Sequence, residues 1–210
     1  MQETASRIES EGGLHGPEYV RRRKALEAKV FPLVIEAEQH HRYLTSHQAG
    51  VAWIAAAIAK EMGFEASRVD GVRLSSSVHD VGMVKVPTYA INKASSLTTQ
   101  ERKLLEHHCQ VGADLLVSIE SPWPLDLVAL QHHERLDGSG YPRGLKADSI
   151  ILEARIVAVA DAIEAMSMRR SHREIPGIRK ALEYVSKKKG STYDTDVVRA
   201  AMAVFADRDK

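Results

Sequence analysis

In five separate stretches of the chain, an imidazole or a carboxylate falls on the same helical stripe as aliphatic side chains. His47, Val51, Ile54 and Ile58 follow an i, i+4, i+7, i+11 spacing, and Val72, Ser76 and His79 an i, i+4, i+7 spacing with Asp80 next in sequence. Leu104, His108, Val111 and Leu115 share a face; so do Leu125, Val128 and His132, with His133 adjacent, and Ala154, Val157, Asp161 and Ala165. Such stripes turn toward the core of a helical protein. Strand-like alternation is hard to find anywhere in the chain. The expected fold is all-α: a single helical bundle.

The punctuation supports a row of helices. One is expected from Pro17 to His41, kinked by Pro32. The next runs from Thr45 to Met62, capped by Thr45 or Ser46 and stopped by Gly63. A third runs from Ser67 to about Asp80, and Gly82 to Ser96, with Pro87, is expected to be a loop or extended. Thr98 with Glu101 forms a capping-box pattern for a helix reaching Val117. Ser121 to Pro124 breaks the chain before a helix from Leu125 to Glu134, and Asp137 to Gly144 is a glycine-rich loop. A long helix over Ile151 to Met168, capped by Ser149, precedes a last pair over Pro176–Lys189 and Asp194–Ala206. Residues 1–40 are expected to be an N-terminal helical segment or linker, covered on Val30, Phe31, Val34 and Ile35 by the bundle; residues 41–206 form the domain. Trp53 and Trp123 are expected in the core.

Composition narrows the classes. Lys+Arg 29 against Asp+Glu 28 argues against a broad basic face for duplex nucleic acid. Cys109 is the only cysteine, so an intrachain disulfide is excluded. The most apolar stretch, Val51 to Ala59, falls short of the roughly 18 residues of a membrane span. Met1 to Thr4 lacks a basic-then-apolar leader pattern, and the expected location is the cytoplasm.

A lone histidine on an apolar stripe is usually a hydrogen-bonded core residue. Five such placements form a buried cluster of imidazoles and carboxylates that would be costly without a cation. Neutral imidazole nitrogens and carboxylate oxygens are natural ligands of divalent metals. His47, His79, Asp80, His108, His132, His133 and Asp161 are too many for one tetrahedral centre and suit two neighbouring ions with a bridging carboxylate. Such a centre fits phosphate-ester hydrolysis, because the ions lower the pKa of a water between them and spread phosphoryl charge.

Val78-His79-Asp80-Val81-Gly82, together with the run His132-His133-Glu134-Arg135-Leu136-Asp137-Gly138-Ser139-Gly140-Tyr141-Pro142, resembles the HD-GYP family of metal phosphohydrolases. The resemblance spans about Tyr43 to Phe205. It implies an HD-type helical bundle with a C-terminal helical extension, from bacteria, that hydrolyses cyclic di-GMP to pGpG or GMP. It implies two or three ions, commonly iron or manganese, with nickel or zinc compatible. By position, the ligands are the same seven residues with Asp80 bridging, and His79 and Asp80 belong to the catalytic pair. Members with a third ion carry a glutamate where this chain has Tyr43, so two ions are expected. The resemblance also places Tyr141 near substrate, assigns phosphate contacts to Arg170 and Arg173, and lets the Gly-Tyr-Pro loop touch signalling partners.

One departure bears on rate. The family's phosphate-contacting lysine is here Met83, and losing one preorganised donor costs about 2.7–4 kcal/mol. A slow enzyme follows, or a module that binds cyclic dinucleotides with little turnover. If Gly82 to Val86 is extended, Lys85 points the same way as Met83 and reaches the site as a substitute. If instead the missing ammonium limits the rate, Met83→Lys raises turnover. Glu164 stands where the family has a second aspartate, and is expected to tune the site.

Overall fold

The computed structural model describes residues 16–93, 95–167 and 177–206. Among them are ten α-helices and no strand: α1 (Pro17–His40), α2 (Leu44–Glu61), α3 (Ala66–Ser77), α4 (Thr88–Asn92), α5 (Thr99–Glu106), α6 (His108–Leu116), α7 (Leu125–Gln131), α8 (Leu152–Ser167), α9 (Gly177–Lys187) and α10 (Thr195–Phe205). Short 3-10 turns cover Val81–Lys85 and Ala147–Ser149.

The central layer is α2 against α8, with α3 on one side of α2 and α9 and α10 closing the other end. Val51, Ile54 and Ile58 of α2 meet Ile156, Val157 and Ile163 of α8 and Val197, Val198 and Ala201 of α10, all buried. Each full burial of a branched aliphatic side chain contributes about 1.5–3 kcal/mol. A second cluster joins Leu26 and Val30 of α1 to Leu74, Val78, Val81, Leu116 and Leu125. A third, smaller one holds Ala37, Leu44, Met83 and Val86.

Several local expectations change. The stretch after Asp80 is helical rather than extended: a 3-10 turn, then α4, with Pro87 just ahead of the helix, where a missing N–H breaks no intrahelical bond. α1 continues through Pro32; it buries Val30, while Phe31 (43%) and Ile35 (53%) remain exposed. Trp53 is likewise half exposed (49%). α2 begins one residue before Thr45, with Tyr43 at its cap position and no side chain capping it. Ser149 lies in the 3-10 turn ahead of α8.

The helix expected from Thr98 to Val117 divides at His107. α5 buries none of its residues, whereas α6 buries His108, Cys109, Gly112, Ala113 and Leu116. Leu104 is therefore exposed, off the stripe that carries His108. The division follows from how α6 seats on the 3-10 turn. A Cβ on Gly82 would lie 2.0 Å from the His108 carbonyl oxygen and 2.5 Å from the Gly112 nitrogen. Only glycine lets the two backbones approach so closely. His41, buried at the end of α1, clasps the same turn: its Nε2 lies 3.1 Å from the Met83 carbonyl and 3.0 Å from that of Val86. The segment that follows His79 and Asp80 is thus fixed from two sides.

Candidate metal centre

Six of the seven expected ligands form two groups that share one residue. Asp80, His108, His132 and His133 are one; His47, His79 and Asp80 are the other, and within each group the ligand atoms lie within 4.8 Å of one another. Asp80 Oδ1 faces His108 Nε2 at 3.2 Å and His132 Nε2 at 3.4 Å. Its Oδ2 faces His79 Nε2 at 3.5 Å and His47 Nε2 at 3.7 Å. Asp161, from the middle of α8, reaches His47 Nε2 at 3.4 Å through Oδ1.

The outer nitrogens explain why the inner ones converge. His79 Nδ1 donates to the Ser76 carbonyl at 2.6 Å, His108 Nδ1 to that of Leu105 at 2.6 Å, and His132 Nδ1 to that of Ala129 at 2.8 Å. His47 Nδ1 meets the Glu164 carboxylate at 2.5 Å. A carbonyl can only accept, so each of the three carbonyl-bound rings carries a proton on Nδ1, which leaves Nε2 as the nitrogen that faces Asp80. The acceptors lie at short range in sequence (three residues back in each carbonyl case), so helix-end geometry itself aims the rings. This is how proteins orient metal-ligating histidines.

Electrostatics fit the same picture. Burial opposes the charge of Asp80, yet His79, His108 and His132 outweigh it and hold the carboxyl well below its usual range. Burial drives His79 down to about 4, against the pull of Asp80, and holds His133 well below the usual imidazole value. Burial also opposes protonation of His47, but Glu164, Asp161 and Asp80 prevail and raise it to about 9; burial opposes protonation of His108 too, yet Asp80 and Cys109 hold it well above the usual imidazole value. Asp80 Oδ1 is buried without a hydrogen-bond partner. A buried carboxylate oxygen with that deficit, ringed by imidazole nitrogens, is suited to a cation that would take the place of their protons.

The other candidates are placed as follows. The Tyr141 ring lies over His133, with centroids 4.7 Å apart. Its amide donates to the His133 carbonyl at 3.2 Å, while Glu134, buried, accepts from the Arg143 amide at 2.7 Å and the Leu145 amide at 2.9 Å. The Gly-Tyr-Pro loop is therefore built onto the ligand-bearing turn, and Glu134 is a structural anchor that the stripes did not single out. Its signal was its place directly after the paired histidines. Arg170 and Arg173 lie outside the described residues. Lys85 is exposed and sits in the 3-10 turn, so the extended geometry that would aim it at the site is absent. Met83 is buried (2%) in the apolar cluster with Leu44 and Val86. Burial pushes the Cys109 thiol up, which keeps it protonated beside His108.

Comparisons place this geometry among known proteins. The family model described as HD domain matches residues 32–197. A cyclic di-GMP phosphodiesterase of Thermotoga maritima is 36% identical over 73% of this chain and 42% of its own length. The 3'3'-cGAMP-specific phosphodiesterase 2 of Vibrio cholerae is 29% identical over 84% of this chain and 34% of its own. The chain thus spans less than half the length of these curated relatives. Among solved structures, the HD domain of the L. monocytogenes phosphodiesterase PgpH, in complex with cyclic-di-AMP, superposes with a TM-score of 0.62 at 19% identity, covering 85% of this chain and 96% of that one. With a family match across most of its residues, the chain belongs to the HD domain family.

Proposed function

We propose that this chain is a metal-dependent phosphodiesterase of the HD-GYP type that opens a cyclic dinucleotide, cyclic di-GMP foremost, to a linear product. The observation that carries the reading is the shared carboxylate: Asp80 turns one oxygen to His108 and His132 and the other to His47 and His79. Relatives named as cyclic di-GMP and cGAMP phosphodiesterases support the substrate class.

His47, His79, Asp80 and Asp161 would hold one divalent ion, and Asp80, His108, His132 and His133 a second. Bound ions supply Lewis acidity, which lowers the pKa of water and offsets phosphoryl charge. Iron or manganese is the expected occupant, and nickel or zinc suits the same donors. The chain's own groups do the rest. The outer hydrogen bonds of His47, His79, His108 and His132 orient their rings, so little reorganisation is left for the moment of reaction. Tyr141 walls the His133 side, which supports its proposed role of stacking on or bonding to substrate. Arg170 and Arg173 are proposed phosphate contacts, with guanidinium forks matched to phosphoryl oxygens.

A second reading, a cyclic-dinucleotide-binding module with little turnover, rests on Met83 and Lys85 alone and is not favoured by the relatives, which are named as phosphodiesterases. Met83 is buried in apolar surroundings and Lys85 faces solvent, so neither brings an ammonium to the phosphate. One experiment separates the two. The protein is loaded with Fe(II) or Mn(II) in reducing buffer and incubated with cyclic di-GMP or 3'3'-cGAMP. Linear product that disappears in His79→Ala is the expected result; retention of the intact dinucleotide without product establishes the binding module instead.

A further inference from the structure

Glu164 and Gly50 are matched to each other across the α2–α8 contact, at the rim of the centre. Glu164 is three residues beyond Asp161 on α8 and almost completely buried (3%). Its Oε2 meets His47 Nδ1 at 2.5 Å, which makes Glu164 the one side chain among the described residues that orients a candidate ligand from a different helix. His79, His108 and His132 lean instead on carbonyls of their own chain segment. A glutamate arm needs room to reach inward, and α2 supplies it. A Cβ on Gly50, one turn beyond His47, would lie 2.9 Å from Glu164 Cγ and 3.2 Å from its Oε1. Glycine inside a helix is less favourable than alanine, so its presence at the middle of α2 calls for a reason. Neither helix end nor turn is nearby to give one; the three nearest heavy atoms that a methyl there would meet all belong to Glu164.

We infer that Glu164 is the positioning residue for the His47 side of the centre, and that Gly50 is the space in α2 that admits its arm. The inference rests on the reading of the cluster as a metal site, and not on the identity of the substrate. Glu164 acts through His47: it fixes the proton on Nδ1 and turns Nε2 toward Asp80 and Asp161. Gly50 acts through Glu164 alone, so its importance should vanish when the arm is removed.

Manganese binding to the metal-free protein, followed by calorimetry and elemental analysis without substrate, tests this in the wild type, Glu164→Ala, Glu164→Gln, Gly50→Ala and the double variant Gly50→Ala/Glu164→Ala. Loss of an outer partner typically weakens metal affinity about 10- to 100-fold. The wild type should bind two ions. Glu164→Ala and Gly50→Ala should each weaken one of them by that factor and leave the other, on His108, His132 and His133, unchanged. The double variant should bind no more weakly than Glu164→Ala, because the added methyl enters space the arm has left. Circular dichroism and thermal melts of the metal-free variants establish that each is folded. If Glu164→Ala fails to fold, the near-isosteric Glu164→Gln carries the test, with the same one-site weakening expected. Unchanged affinity in the glutamate variants, or losses in Gly50→Ala and Glu164→Ala that simply multiply in the double variant, would overturn the inference. A wild type that binds no ion would overturn the metal reading with it, and is distinguished by the absence of any binding to weaken.

Discussion

Asp80 has two oxygens and four imidazoles around them, and the surrounding residues decide whether that crowd can do chemistry. The seven ligand candidates were legible because each shares a stripe with aliphatic residues or neighbours one that does. Spacing says which side chains face inward, but not what stands behind them. The carbonyls of Ser76, Leu105 and Ala129 carry no side-chain signature, so the outer partners were invisible in the sequence. Met83 shows the opposite failure. Position alone predicts that a lysine there would restore a phosphate contact, yet the side chain is packed against Leu44 and Val86. An ammonium in that cluster must either be desolvated or lose its proton. Met83→Lys is therefore expected to cost about 2–5 kcal/mol in urea unfolding, with no gain in turnover. Wild-type stability with faster hydrolysis would show that the lysine end group reaches the open site. Lys85→Ala, on the exposed side of the same turn, should leave both stability and turnover unchanged.

At the scale of elements, helix starts with a complete side-chain cap, at Thr98 and Asp194, were legible, and the irregular stretch after Asp80 was not. Thr98 illustrates the first case. Its Oγ accepts from the Glu101 amide at 3.2 Å while the Glu101 carboxylate accepts from the Thr98 amide at 2.7 Å, a complete capping box. Lys93 adds an ion pair to the same carboxylate at 2.7 Å. The Val81–Lys85 turn illustrates the second: its shape comes from contact with the α6 backbone at Gly82 and from His41, which lie 26 residues later (to His108) and about 40 earlier, beyond the reach of local pattern. The capping box makes a pH prediction. The hydrogen bonds from Lys93 and the Thr98 backbone hold the Glu101 carboxyl at about 2, below its ordinary value of 4.5. Its charged form is favoured in the folded state, so the contribution is present above pH 4.5 and is lost as pH falls toward 2. Glu101→Gln should melt below the wild type at pH 7, and the gap should narrow steadily between pH 4.5 and 2. A gap that persists unchanged at pH 2 would assign the effect to shape rather than charge.

For the whole molecule, the open question is whether α1 is a linker or part of the domain. Composition gave no boundary near residue 40, and the family match begins at residue 32, inside the helix. Packing favours the second view. Leu26 and Val30 close the cluster formed by Leu74, Val78, Val81, Leu116 and Leu125, and His41 pins the turn that follows Asp80. Two further links run from α1 to α3: Tyr19 Oη donates to Asp70 at 2.9 Å, and Arg23 pairs with the same carboxylate at 3.2 Å. Were α1 a linker, truncating one of its apolar side chains would cost almost nothing. As a layer of the bundle, it should respond like a core helix, in which Leu→Ala costs about 2–5 kcal/mol. Leu26→Ala is therefore expected to lower stability by that amount in a single cooperative unfolding transition, while the count of bound manganese ions stays at two. The two readouts must be taken together. A stability loss with intact metal content makes α1 a supporting wall of the centre; an unchanged melt would return residues 17–40 to the status of a tether; a separate early transition would make α1 an independently melting flap over an otherwise self-sufficient bundle.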